Sequence, residues 1–172
     1  MKYLKFALII FILILIFSAI YNSIPEYKIP DGVMIDSIIV LKSERKMLVY
    51  SNKIQIKEYK ISLGECPVGD KEFEGDKKTP EGIYYINDKN PNSGYHKNLG
   101  ISYPNKEDEE YSKKLGKSPG GDIKIHGLRN GTGFIGKFHR NIDWTLGCIA
   151  LTNDEIDELY NSVKIGTKIE IK

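Results

Sequence analysis

The sequence is short of the residues on which several function classes depend. Two cysteines, three histidines and one tryptophan are spread over 172 residues, with no zinc-ribbon spacing among them. Only three of the 25 basic residues are arginine, namely Arg45, Arg129 and Arg140. Internal repeats, heptad runs and low-complexity tracts are all missing, which leaves a globular chain long enough to bury one core. Excess charge of one sign is missing too. There are 25 basic and 23 acidic residues, and without Lys2 and Lys5 the remainder carries 23 of each. A neutral body argues against nucleic acid as its partner.

Charge is absent altogether between Lys5 and Glu26, where Phe6 to Ile20 is almost purely aliphatic or aromatic. A helix of roughly 20 such residues crosses a bilayer. Lys2 and Lys5 precede it, so the positive-inside rule keeps the N-terminus cytoplasmic and sends the rest outward. A cleaved signal peptide is the rival reading, but no small-x-small pair ends the apolar run: Ala19 at −1 would put Phe17 at −3. The expected organisation is a cytoplasmic tip at 1–5, a transmembrane anchor at 6–24, a linker at 25–33 containing Pro25 and Pro30, and one domain at 34–172.

Within that domain, short runs of Ile, Val and Tyr predict strands at Ile35 to Leu41, Met47 to Tyr50, Ile54 to Ser62, Ile83 to Ile86, Asp122 to His126, Cys148 to Leu151 and Lys168 to Ile171. A charged surface helix is expected over Asn105 to Leu115. A second helix starts after Thr152, whose spacing to Glu155 is that of a capping box, and Ile156, Leu159, Tyr160 and Val163 follow on one face. The fold class is therefore mostly β (α+β), with one or two short helices.

Two Gly- and Pro-rich loops, Gly64 to Gly82 and Ser118 to Gly133, are long enough to draw attention as functional segments. The second leads into "DIKIHG". There Ile123 and Ile125 share one face of the expected strand, leaving His126 on the other. In "CIAL", Ile149 and Leu151 share a face and Cys148 lies with Ala150. Both His126 and Cys148 thus fall opposite their strands' aliphatics. A thiol beside an imidazole suffices for acyl transfer: the thiolate attacks, and the histidine takes the proton and returns it to the leaving amine. Gly147 lets substrate approach closely and offers a backbone N–H to an oxyanion. The bland readings of Cys148 are a disulfide with Cys66, natural in an exported protein, or a metal site with His126 and His139 whose spacing fits no familiar pattern.

"GGDIKIHG" followed by "DWTLGCIALTNDEI" resembles the L,D-transpeptidase catalytic domain, the YkuD family, whose motif is His-Gly and then Ser/Thr-x-Gly-Cys. "LGECPVGDKEFEGDKKTPEGIYYI" and "LGISYPNKEDEEYSKKLGKSPGG" are similar to that family as well, so the resemblance runs from about Ser37 to Lys172 and is greatest to its YafK-like branch. The resemblance implies a β-sandwich and a cysteine enzyme acting on peptidoglycan stem peptides. Its thioester forms at meso-diaminopimelate with release of D-Ala, and is passed to a second stem amine (a 3–3 cross-link), to a protein lysine, or to water. It implies Cys148 as nucleophile, His126 as general base, Gly147 as backbone oxyanion donor, and Gly127 and Thr145 framing the site. No cofactor is implied.

Two departures stand out. Many members read Ser-His-Gly-Cys-Ile-Arg, where this chain has Leu146 for the histidine and Ala150 for the arginine. The oxyanion donors are then expected from the backbone of Gly147 and Cys148. Arg140, with His139, is expected to bind a substrate carboxylate in place of the missing arginine, while Arg129 suits a surface role equally. Cys66 reads as a free or weakly exposed thiol; pairing with Cys148 would gate the enzyme by redox state. The lead expectation is a membrane-anchored L,D-transpeptidase of the cell envelope with its catalytic domain outside the cytoplasm. The alternatives are an L,D-carboxypeptidase with the same site and a non-catalytic wall-binding module.

Overall fold

A computed structural model describes residues 2–172 of the chain; Met1, in the expected cytoplasmic tip, lies outside the described residues. The first element, α1 (Lys2–Ser23), contains a stretch, Tyr3–Ser23, long and apolar enough to cross a membrane. The body of that stretch is not buried against the rest of the protein, so its side chains are left for another apolar phase.

β1 (Ile35–Leu41), β2 (Lys46–Ser51) and β3 (Ile54–Lys60) form an antiparallel meander. β4 (Gly82–Ser93), β5 (His96–Ile101), β6 (Lys124–His126), β7 (Ile149–Ala150) and β8 (Val163–Ile171) complete an eight-stranded mixed ladder in the order β3-β2-β1-β8-β4-β5-β6-β7. The pairs β1/β8 and β6/β7 are parallel and the others antiparallel. β4 joins the two halves: Gly82 to Tyr85 pair with β8, and from Ile86 onward the strand pairs with β5 across a register shift. The expected sandwich thus takes the form of one ladder whose two halves share a strand.

Alternation explains the core. Ile38, Val40, Met47, Val49, Ile169 and Ile171 all point inward and are at most 1% exposed. β3 changes phase at a bulge. Val49 pairs with Lys57 but Tyr50 pairs with Gln55, so Ile56 is an extra, bulged residue. Lys57 and Tyr59 turn inward in consequence, and Ile54 is exposed. Lys57 is tolerated there because its ammonium meets Glu158 at 2.6 Å and lies over the Tyr59 ring.

α2 (Lys106–Lys114) is capped by Asn105, and α3 (Asn153–Ser162) by the reciprocal pair Thr152 and Glu155. Ile156 and Leu159 of α3 are fully buried, which fixes the helix onto the sheet near β5. Two short 3₁₀ turns meeting at a kink at Gly136 occupy Gly133–Asn141, where the sequence predicts only loop.

Residues 25–33 carry no helix or strand, yet they are pinned at both ends. Asn22 accepts a 2.8 Å bond from the Lys137 N–H, and the Tyr21 and Phe138 rings lie 5.0 Å apart. Glu26 receives both terminal nitrogens of Arg140 at 2.8 and 3.0 Å. Ile29 is buried and its N–H donates to Glu158. The end of α1 is therefore clamped to the 3₁₀ segment and α3.

Candidate active site

A cavity of about 880 Å³ opens between the Gly64 to Gly82 loop, the β4–β5 hairpin and the turn before β7. His126, Cys148, Thr145 and Leu146 all line it. Register explains the meeting of the first two. His126 on β6 pairs with Ala150 on β7, and Cys148 precedes Ala150 by two residues, on the same face.

The tautomer of His126 follows from its partner. Nδ1 lies 2.7 Å from the Gly127 carbonyl oxygen, which can only accept, so Nδ1 carries the proton and Nε2 the lone pair. Gly127 is held in turn: its N–H lies between the carbonyls of Tyr95 and Lys97, and a Cβ there would meet Asn153 and Ile156 of α3 at 2.9 and 3.0 Å. It shapes the site from behind His126 and does not line the cavity. Burial holds His126 below the ordinary imidazole range, and the Lys124 charge adds to this against the bond to Gly127. Burial likewise pushes the Cys148 thiol above its ordinary range, with the Lys124 backbone and ammonium pulling the other way. Both shifts favour the neutral forms of thiol and imidazole, and Cys148 Sγ lies 3.6 Å from the Asp122 carbonyl.

The turn before Cys148 is tied by one side chain. Thr145 Oγ1 donates to the Cys148 carbonyl at 2.7 Å and accepts from the Gly147 N–H at 3.1 Å. This corrects the expectation for Gly147: its N–H is already bound. The Cys148 N–H makes no hydrogen bond among the described residues and is the donor left for an oxyanion. What Gly147 supplies is conformation. Its φ of 131° belongs to glycine, and a Cβ would come within 2.7 Å of the Lys78 carbonyl. Gly64 permits the matching approach from the loop, since a Cβ there would sit 2.1 Å from the Lys77 carbonyl.

Arg140 and His139 do not reach the cavity. Arg140, expected to bind a substrate carboxylate, is bound by two carboxylates of the protein itself: Glu26, and Glu155 at 2.7 Å. Its side chain is 8% exposed, which leaves no fork for a ligand. Its hydrogen bonds and charge draw the Glu26 carboxyl down to about 2 against the effect of burial. His139 is buried against Ser62, whose hydroxyl donates to the His139 carbonyl at 2.8 Å and so accepts from His139 Nδ1 at 3.2 Å. Burial, then the Arg140 and His126 charges, lower its pKa to about 4. Arg129 is exposed. Leu146, which replaces the family histidine, is 70% exposed at the cavity rim, and Ala150 is fully buried between Ser62 and His126. Cys66 and Cys148 are both free, with Cys66 exposed.

Three residues of the site carry no motif and were not anticipated. The Tyr95 ring lies 4.7 Å from the His126 ring, and Trp144 meets His126 edge-on at 5.7 Å. Asn98 pairs directly with His126 across β5 and β6, is 4% exposed, and its Oδ1 has no hydrogen-bond partner. A buried amide left unmatched costs about 1–3 kcal/mol. The sequence signal for Trp144 was its place beside Thr145 in "DWTLGC"; Tyr95 and Asn98 had none.

Residues 35–171 match the L,D-transpeptidase catalytic domain family, YkuD. The Escherichia coli (strain K12) protein named "Putative L,D-transpeptidase YafK" is 31% identical over 132 residues, which cover 73% of this chain and 46% of that one. The chain thus spans about half the length of the curated relatives it matches. Among solved structures, the helical cell shape determining protein Pgp2 from Campylobacter jejuni is similar with a TM-score of 0.59 and 26% identity, over 90% of this chain and 55% of that one. Bd1075 of Bdellovibrio bacteriovorus has a TM-score of 0.55 at 24% identity, over 88% of this chain and 52% of its own, a likeness of fold alone. The family match takes in every strand, the cavity and the Cys148 turn, and the chain belongs to the L,D-transpeptidase catalytic domain family.

Proposed function

We propose that the chain is a cysteine acyltransferase acting on peptidoglycan stem peptides, with Cys148 as nucleophile and His126 as base. The observation that supports it best is the Nδ1 bond of His126 to Gly127, which leaves an unprotonated Nε2 in the same cavity as the thiol. Nε2 takes the Sγ proton as sulfur bonds to the carbonyl carbon of meso-diaminopimelate. The Cys148 N–H stabilises the oxyanion. Collapse breaks the C–N bond, and the imidazolium gives its proton to the departing D-Ala amine, leaving a thioester. An acceptor amine then attacks, His126 removes its proton, and the thiol is restored as a new amide forms.

A stem amine as acceptor gives a 3–3 cross-link, a protein lysine gives attachment, and water gives L,D-carboxypeptidation. Likeness to a cell shape determining protein supports a role in the wall. The apolar α1 supports anchorage in the cytoplasmic membrane with the domain outside the cytoplasm. Intact-mass analysis after exposure to a carbapenem-type acylating agent tests the nucleophile: one adduct on Cys148, absent in Cys148→Ala, is expected. No adduct on folded protein would overturn the enzyme reading in favour of a wall-binding module. Muropeptide analysis with the purified full chain then separates cross-linked from trimmed products.

A further inference from the structure

Two buried polar groups flank His126 and have no hydrogen-bond partner among the described residues. Asn98 lies directly opposite His126 across an antiparallel pair, so both side chains project from the same face of the sheet. The next pair, Leu99 and Ile125, is fully buried on the opposite face. Asn98 lines the cavity, is 4% exposed, and its Oδ1 is unmatched. Trp144 also lines the cavity, with its ring 5.7 Å from His126 and its Nε1–H buried and unmatched. An apolar side chain at position 98 would suit a buried strand better than an unsatisfied amide. Phenylalanine at 144 would keep the ring contacts without an orphaned N–H.

We propose that Asn98 and Trp144 form an amide-reading subsite that binds a backbone peptide unit of the donor stem next to the attacked carbonyl. The inference rests on the stem-peptide reading above and names the groups that hold the peptide. Both are neutral and buried in the cavity wall, a setting that suits an uncharged amide. A peptide unit offers one N–H and one C=O. Trp144 only donates, so it takes the C=O. The carboxamide of Asn98 can meet an amide with either end: Oδ1 accepts from N–H, and Nδ2 donates to C=O. Flanking His126, the pair would orient the stem so that its scissile carbonyl faces Cys148, and binding would satisfy groups that the empty fold leaves orphaned.

The test uses Asn98→Leu and Trp144→Phe in the full chain held in detergent micelles. The measurements are kcat/KM on a stem tetrapeptide, melting temperature, and the rate of Cys148 alkylation by iodoacetamide, which needs no peptide subsite. Each variant is expected to lose ten- to hundredfold in kcat/KM while melting temperature holds or rises and alkylation stays within twofold. Unchanged kcat/KM would overturn the proposal, as would melting temperature and alkylation falling together with activity, the mark of a structural role. A second readout does not depend on turnover. In Cys148→Ala, the Asn98 side-chain amide and Trp144 indole NMR signals are expected to shift when the tetrapeptide is added, and stationary signals with bound peptide would overturn the subsite. Were the native chain inert toward stem peptides, shifts with a blocked dipeptide amide would keep the subsite and remove only the substrate reading.

Discussion

The carbonyl of Gly127 accepts the Nδ1–H of its neighbour His126 at 2.7 Å, so backbone and base are fixed together. The second ring nitrogen is thereby left with the lone pair, and burial disfavours its protonation.

The direction of that shift sets the acid limb of activity. A neutral imidazole is favoured, so the base stays unprotonated at a pH where a solvent-exposed histidine would be half protonated. We expect kcat/KM to hold down to pH 6.5 and to fall only below it. An acid limb centred at or above 6.5 would contradict the assignment. Burial shifts Cys148 the other way, so iodoacetamide alkylation of the free protein is expected to be slow at pH 7 and to rise steeply through pH 9.

Thr145 ties the nucleophile turn at two points. Thr145→Val removes the 2.7 Å bond to the Cys148 carbonyl and leaves the Gly147 N–H unbound. A stability loss of about 1–2 kcal/mol is expected, with at least a tenfold fall in kcat/KM; Thr145→Ser is expected to restore most of both. Equal kinetics for Val and Thr would show that the tie is dispensable.

Arg140 is predicted to matter for stability and not for binding. Arg140→Met leaves Glu155, 6% exposed, without its cation. Breaking a buried pair in this way costs about 3–5 kcal/mol. Urea unfolding is expected to show a loss of that order, while KM for a stem peptide stays within twofold. A large rise in KM with native stability would restore the substrate-binding role.

His139 should make stability depend on pH. Its folded pKa of about 4 lies below the ordinary 6.5, so between these values the unfolded chain binds a proton that the folded one refuses. Stability is fully present above pH 6.5 and is lost as pH falls toward 4, by roughly 3 kcal/mol. His139→Asn is expected to flatten this part of the profile, seen as a smaller difference in unfolding free energy between pH 7 and pH 4.5. Parallel profiles for variant and native protein would refute it.

Local signals carried much of this. β1 coincides with the Ile35 to Leu41 alternation, and the Thr152 and Glu155 spacing announced α3 together with its buried face. The Cys148 and Ala150 phase anticipated the face that meets His126. Failures came where geometry is set by distant or irregular features. β4 runs well past the expected end at Ile86, through Pro91, and β5, where no strand is expected, begins at His96 with φ 65°. The bulge at Ile56 turns Lys57 and Tyr59 inward, which the local run of residues does not announce. Arg140 is taken up by Glu155 and by Glu26, the latter 114 positions away, and neither pairing leaves a local trace in the sequence. The Gly147 N–H is taken by the side chain of Thr145, two residues earlier, a bond that depends on the fold of the turn and not on the motif.

The clamp at Asn22, Glu26 and Ile29 changes what the segment after α1 is. Nine free residues would let a domain wander by about 15–18 Å, sampling wall at many heights. Stapled as it is, the segment acts as a depth gauge. Under the proposed anchorage of α1, the altitude of Cys148 above the lipid is a constant of the fold, and with it the stratum of wall open to the proposed activity.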